Sequence, residues 1–219
     1  MPGCCNARGC DRFFGERFAR RMAARYRKRG LDRTARKMVA FLEERGIEGA
    51  SLLEIGGGVG EIQLELLKKG AARAVNVELS PAYDPEASTL LHEAGLEDRA
   101  ERRLHDIAVD PEGVEPADIV VLHRVVCCYP DYERLLTAAA SHAKRLLVFS
   151  YPPRNAISRM AVACQNLLFR ALRREFRTFA HPPAAMLAVL DANGLHATAF
   201  RPAPVWNVAG LERPELGSE

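Results

Sequence analysis

The chain has 219 residues, 48% hydrophobic and 27% charged, an ordinary composition for a globular protein with a core large enough to need no staples. The net charge of +3 hides an asymmetry: residues 8–37 hold twelve Lys/Arg against three Asp/Glu, so the rest of the chain is −6. No aliphatic run exceeds Ile119–Leu122, far below the roughly 20 residues of a membrane span, and the charged N-terminus lacks the apolar stretch of a secretory signal.

Residues 1–10 read as a loose Gly/Cys/Asn tail, and 11–29 as a basic helix stopping at Gly30. Residues 34–46 follow, with Ala35, Met38, Val39 and Leu42 at i, i+3, i+4, i+7 and Gly46 as a stop. Alternation then begins. Short β-rich runs at 51–55, 74–78, 118–122 and 145–150, with a weaker one near 100–104, are separated by helical stretches at 59–69, 85–94 and 132–143. Gly95 stops the second of these helices and Asp131 caps the third. Strand–helix alternation with short apolar strands predicts a parallel sheet covered on both faces. A helix over about 157–174 interrupts the rhythm, and Pro182-Pro183 starts another that ends at Asn193-Gly194. Residues 196–201 and 204–211 read as strands joined by Pro202-Ala203, too close for a crossover and therefore antiparallel.

The most informative segment runs from Leu52 to Glu61: a buried strand, a cluster of glycines, then a helix. Such a turn lets backbone approach a ligand closely, and a helix N-terminus offers free N–H groups. Twenty residues after Gly58 a second strand ends in Glu78, whose carboxylate can accept from both hydroxyls of a ribose. A dinucleotide site needs G-x-G-x-x-G; Gly56 and Gly58 supply two glycines, but Glu61 stands third, beside a would-be pyrophosphate. The pattern is instead Glu54, Gly56, Gly58, Gly60.

That pattern resembles motif I of the class I S-adenosylmethionine-dependent methyltransferases. The resemblance spans about residues 35–211 and implies a doubly wound α/β fold: a mostly parallel, seven-stranded, Rossmann-like sheet with an antiparallel last strand. It implies S-adenosylmethionine (SAM) as cofactor. Glu54 would help hold the amino end of its methionine, Gly56, Gly58 and Gly60 would pass beneath the nucleoside, and Glu78, with Leu79 after it, would take the ribose. Asp106 and Ile107, after the third strand, match the positions that meet the adenine amino group and ring. His123 ends the fourth strand, between cofactor and acceptor, and Val205-Trp206 falls inside the reversed seventh strand. The domain is expected over 35–211, with a basic extension or cap at 1–34, a substrate-side insertion at 154–180 and a tail at 212–219.

Methyl transfer needs a base only if the acceptor holds its proton. His123 and Tyr129 are the candidates; no catalytic residue is assigned. The insertion's apolar Ile157, Met160, Val162, Leu167, Leu168 and Phe169, with Arg170, Arg173, Arg174 and Arg177, suggest a greasy pocket wall and an apolar or aromatic acceptor bearing an acidic group. Arginine-rich 8–37 reads either as a cap or as a polyanion-binding face; Phe13, Phe14 and Phe18, at helical spacing, favour packing. An RNA methyltransferase is the alternative, but the loop after strand four lacks the Asn/Asp-Pro-Pro-Tyr/Phe of amino-group nucleic-acid methylases. A non-catalytic SAM-binding protein is the alternative of another class. Peripheral membrane contact stays open. Cys4, Cys5, Cys10, Cys127, Cys128 and Cys164 form no disulfide framework, so a reducing cytoplasm is expected. Adjacent cysteines chelate zinc poorly, so no metal is assigned.

Overall fold

Strand side chains divide between two faces because the β period is two. On the fourth strand Ile119 and Val121 join one core cluster, while Val120 and Leu122 join the other. The fifth strand splits in the same way, with Leu146 and Val148 opposite Leu147 and Phe149. A sheet apolar on both sides must be covered twice, and helices do so.

The structure, a computed structural model, describes residues 14–214. The expected tails, with Cys4, Cys5, Cys10 and Phe13, lie outside the described residues apart from the segment ending at Arg213 and Pro214. Chain order is α1 (Glu16–Arg29), α2 (Arg33–Glu43), β1 (Ser51–Ile55), α3 (Glu61–Lys68), β2 (Arg73–Glu78), α4 (Asp84–Ala94), β3 (Ala100–Leu104), β4 (Ala117–Leu122), α5 (Tyr132–His142), β5 (Ala143–Tyr151), α6 (Ala156–Ala171), α7 (Pro183–Ala192), β6 (His196–Arg201) and β7 (Asn207–Glu212). The sheet order is β3-β2-β1-β4-β5-β7-β6. The first five are parallel; β7 runs antiparallel to both β5 and β6. This is the expected doubly wound, seven-stranded sheet with its reversed last strand. No described helix is long and apolar enough to cross a membrane.

Helices α1 to α4 cover one face and α5 and α7 the other. The basic α1 is amphipathic: Ala19, Ala23 and Tyr26 are buried at i, i+4, i+7. Phe18, 38% exposed, packs edge-on against Phe14 and Tyr83, as expected of it. Asp32 caps α2 through the amides of Thr34 (2.8 Å) and Ala35 (2.9 Å). Several arginines serve the backbone. Arg213 donates to the carbonyls of Ala140, Ala143 and Asn193, tying the chain end to helix and strand termini.

Among the boundaries that differ from expectation, three have a visible local cause. α3 starts at Glu61 rather than at 59, because Gly60 takes a left-handed conformation (φ 78°) ahead of it. α6 ends at Ala171, before Arg173 at φ 51°. β7 starts at Asn207, so Val205 and Trp206 fall in the preceding turn; there the Asn207 side chain accepts from the Ala203 amide at 3.0 Å, folding the chain back after Pro202.

At Gly210, in the middle of β7, a Cβ would lie 2.3 Å from the Phe41 ring of α2. Gly210→Ala should therefore destabilise the protein by overpacking, about 1–3 kcal/mol by denaturant titration. Adding Phe41→Leu should recover part of that loss; the same cost in both backgrounds would mean the contact is slack.

Candidate active site

The glycine turn after β1 is built by close packing as much as by backbone freedom. Gly56 and Gly58 have left-handed φ values, 64° and 58°. Gly57 does not, yet a Cβ there would lie 2.4 Å from Asn76 Nδ2 and 2.6 Å from Glu54 Cδ. The turn thus lies directly over the buried ends of β1 and β2, and the motif's unspecified position must also be glycine. Gly60 donates to the Gly57 carbonyl (2.8 Å) and begins α3.

A cavity of about 430 Å³ opens at the carboxyl ends of β1, β2 and β4, the ligand crevice of an open α/β sheet. It collects Glu54, Gly56, Gly58, Glu78, Leu79, Asp106, Ile107, His123 and Tyr129 from the expected residues. Gly60 is not among the lining residues, and Gly57 is. No lining residue comes from 154–180. The apolar wall expected there comes instead from α1 and its approach: Phe14, Phe18 and Met22, with Tyr83 and Val125. Phe14 lies 5.6 Å from Phe18 and 6.4 Å from Tyr83 between ring centres. The α6 segment reaches this wall one layer out, through Phe176 against Phe14 at 5.1 Å.

Glu78 accepts from the amides of Gly58 (2.9 Å), Leu79 (2.8 Å) and Ser80 (3.3 Å), which fixes the end of β2 to the glycine turn. Burial nonetheless raises its pKa. Glu54 is less well served. It is 2% exposed and, among the described residues, accepts only the Gln63 amide, at 3.3 Å. Burial pushes its pKa up to about 8, with the neighbouring Glu61 and Glu78 adding to the rise. A buried, under-bonded carboxyl facing a cavity suits a cationic ligand group.

On the cavity wall is a polar cluster, joined through Asp32, of which only His123 was expected from the sequence. Arg124 Nη2 lies 2.5 Å from Asp32 Oδ2. Arg25 bridges Asp32 (3.6 Å) and Glu61 (3.3 Å). Asp32, Glu61 and His123 bring potential metal donors within 4.8 Å of one another, but the two guanidiniums already supply the positive charge there. His123 Nδ1 lies 3.0 Å from Ser150 Oγ, which also accepts the Arg124 amide at 2.9 Å. The Nδ1–Ser150 contact serves either tautomer; with the hydroxyl donating to Nδ1, the ring N–H is on Nε2, 3.8 Å from Asp32. Burial lowers the His123 pKa and so favours the neutral ring. The Tyr129 hydroxyl donates to both Asp106 oxygens, each at 3.2 Å, and so orients Asp106.

Residues 23–199 match a family of methyltransferase domains. The chain belongs to that family. Solved structures similar to it in fold hold S-adenosylmethionine or its product SAH. This methyltransferase is similar in fold to magnesium protoporphyrin IX methyltransferase from Synechocystis PCC 6803 with bound SAH: 20% identity, TM-score 0.67, covering 83% of this chain and 82% of that one. It is similar also to geranyl diphosphate C-methyltransferase from Streptomyces coelicolor A3(2) (15% identity, TM-score 0.64, 80% and 78% covered). A third likeness is to an O-methyltransferase family 2 protein from Planctomyces limnophilus in complex with apigenin (21%, 0.61, 85% and 63%). No curated protein matches by sequence.

The raised Glu54 pKa carries a test. The native state holds a proton that the unfolded chain releases between about 4.5 and about 8, so stability falls as pH rises through that window. Glu54→Gln removes this slope. Its melting temperature should exceed the wild type's above pH 8 and approach it near pH 5; parallel profiles would mean that Glu54 is ionised in the native protein.

Proposed function

We propose that this methyltransferase acts on a small-molecule acceptor, aromatic or otherwise apolar and bearing an acidic group. The observation that carries the acceptor class is the cavity wall: Phe14, Phe18, Met22, Tyr83 and Val125 with Arg21 at their edge. Arg21 makes no ion pair among the described residues, so its guanidinium fork is open to a carboxylate. This moves the source of the acidic preference from the insertion to α1. Segment 154–180 remains the substrate-side insertion in this reading, since Phe176 backs the wall. Residues 14–25 act as the cap, and 35–211 as the domain beneath it.

When bound, S-adenosylmethionine supplies an activated methyl group on a sulfonium. Glu54 would serve its cationic methionine end. Glu78 has about one lone-pair site left, for a ribose hydroxyl, after its three amides. Asp106 would meet the adenine amino group, with Ile107 against the ring and Leu79, Gly56 and Gly58 beneath; Gly60 acts by starting α3. With the Ser150 hydroxyl donating to Nδ1, His123 contributes an N–H donor. Neither His123 nor Tyr129 offers a free base, so the chain's residues work by alignment, which can supply roughly 7–11 kcal/mol of barrier reduction.

Nucleic acid is the weaker reading. The basic α1 is answered by acids: Arg20 by Glu16, Arg25 by Glu61, Arg27 by Glu86 and Glu93. A cytoplasmic location fits cysteines that occur as adjacent pairs and singles.

SAH should raise the melting temperature, because it binds the native state, and NAD should not. Glu78→Ala should weaken SAM by about 1.5–3 kcal/mol in calorimetry, the scale of hydrogen bonds to a charged group. Equal affinity in wild type and variant would remove Glu78 from the site.

A further inference from the structure

Helix α6 turns its apolar side outward. Ile157, Met160, Leu167, Leu168 and Leu172 are 79, 65, 67, 56 and 54% exposed. At 100° per residue they occupy one continuous stripe, with only Ala and Cys164 between them. The opposite side is fastened to the protein. Asn166 donates to the Thr178 carbonyl (2.8 Å) and accepts the Thr178 amide (3.0 Å), while Phe169 is buried against Phe176. The outward direction of the stripe is therefore set by specific contacts. A contiguous apolar patch of this kind marks an interaction surface.

The surrounding charge identifies the partner. Residues 152–190 hold six arginines and one acid, Glu175. Arg154 before α6 and Arg173 and Arg174 after it are exposed at the two ends of the stripe, and Arg159 and Arg170 are exposed on the side of the helix away from it. A second copy would set these arginines against their own kind. Acidic headgroups over an apolar interior complement both parts at once.

We propose that α6 is an interfacial helix that seats this enzyme on an anionic membrane surface. The stripe enters the boundary between headgroups and acyl chains, and the arginines at its ends meet lipid phosphates. Phe176 packs on Phe14, so docking brings the cavity wall close to the bilayer.

The test is sedimentation of the full-length protein with vesicles of phosphatidylcholine, alone or mixed with phosphatidylglycerol. The protein should bind the anionic vesicles, not the neutral ones, and be released by salt. Met160→Glu with Leu167→Glu should lower partitioning at least roughly tenfold with unchanged circular dichroism. Serine at the same two positions, which removes apolar area without adding charge, should act in the same direction. Absence of binding to anionic vesicles overturns the proposal. So does equal binding by the stripe variants, which would assign the attraction to α1. A lipid-free dimer that the stripe variants convert to monomer would also overturn it, giving the surface to a second copy.

Discussion

Asp32 joins the parts that make the cavity. One carboxylate oxygen accepts two amides at the start of α2; the other meets Arg124 from the turn after β4 and Arg25 from α1. Burial would raise its pKa, but His123, the Ala35 amide and Arg124 outweigh burial and hold it well below the ordinary carboxylate range. Arg124 is in a left-handed conformation (φ 61°), unfavourable for a residue that carries a Cβ. Its ion pair with Asp32 and its stacking 5.2 Å from the Trp206 ring centre over-determine that conformation. The same turn continues into Val125, whose side chain occupies the space a Cβ at Gly56 would need. Helix start, strained turn and glycine loop thus depend on one another.

Three acids meet around that loop, and their environments differ. Glu61 is 3% exposed and has Arg25 for a partner, although burial still raises its pKa. Glu78 has three amides. Among the described residues Glu54 has neither an ion-pair partner nor an amide cluster, and burial pushes its pKa up to about 8. The arrangement leaves one carboxyl unsatisfied at the point where the ligand's positive charge is expected. In the sequence, Glu61 served only to argue against a pyrophosphate; in the structure it is the link by which α1 reaches the glycine loop.

The strands and most helix limits were legible because they depend on local signals: apolar alternation in 118–122, a cap at Asp131, a stop at Gly95. The glycine motif and its spaced acids were legible for the same reason, and the cavity brings most of them together. What failed was non-local. Asp32 could be read as a helix cap, but nothing nearby in sequence announces Arg124, 92 positions away. Trp206 has strand propensity, and the Asn207–Ala203 turn overrode it. Gly57 occupies an unspecified motif position, so its crowding by Asn76 is visible only in three dimensions.

Helix α6 exposes the limit of periodicity itself. A hydrophobic stripe at helical spacing says that one side of a helix differs from the other, not which side faces the protein. The apolar residues of 157–172 were read as a pocket wall because burial is the usual fate of such a stripe. Here two short polar and aromatic contacts, Asn166 with Thr178 and Phe169 with Phe176, reverse it. An amide pair satisfied inside the fold loses hydrogen bonds if the helix rotates, leaving donors and acceptors buried without partners. The outward apolar side is thus the lower-energy arrangement for the isolated chain in spite of its exposure to water. The water-exposed area is then the free energy available to any surface that covers it.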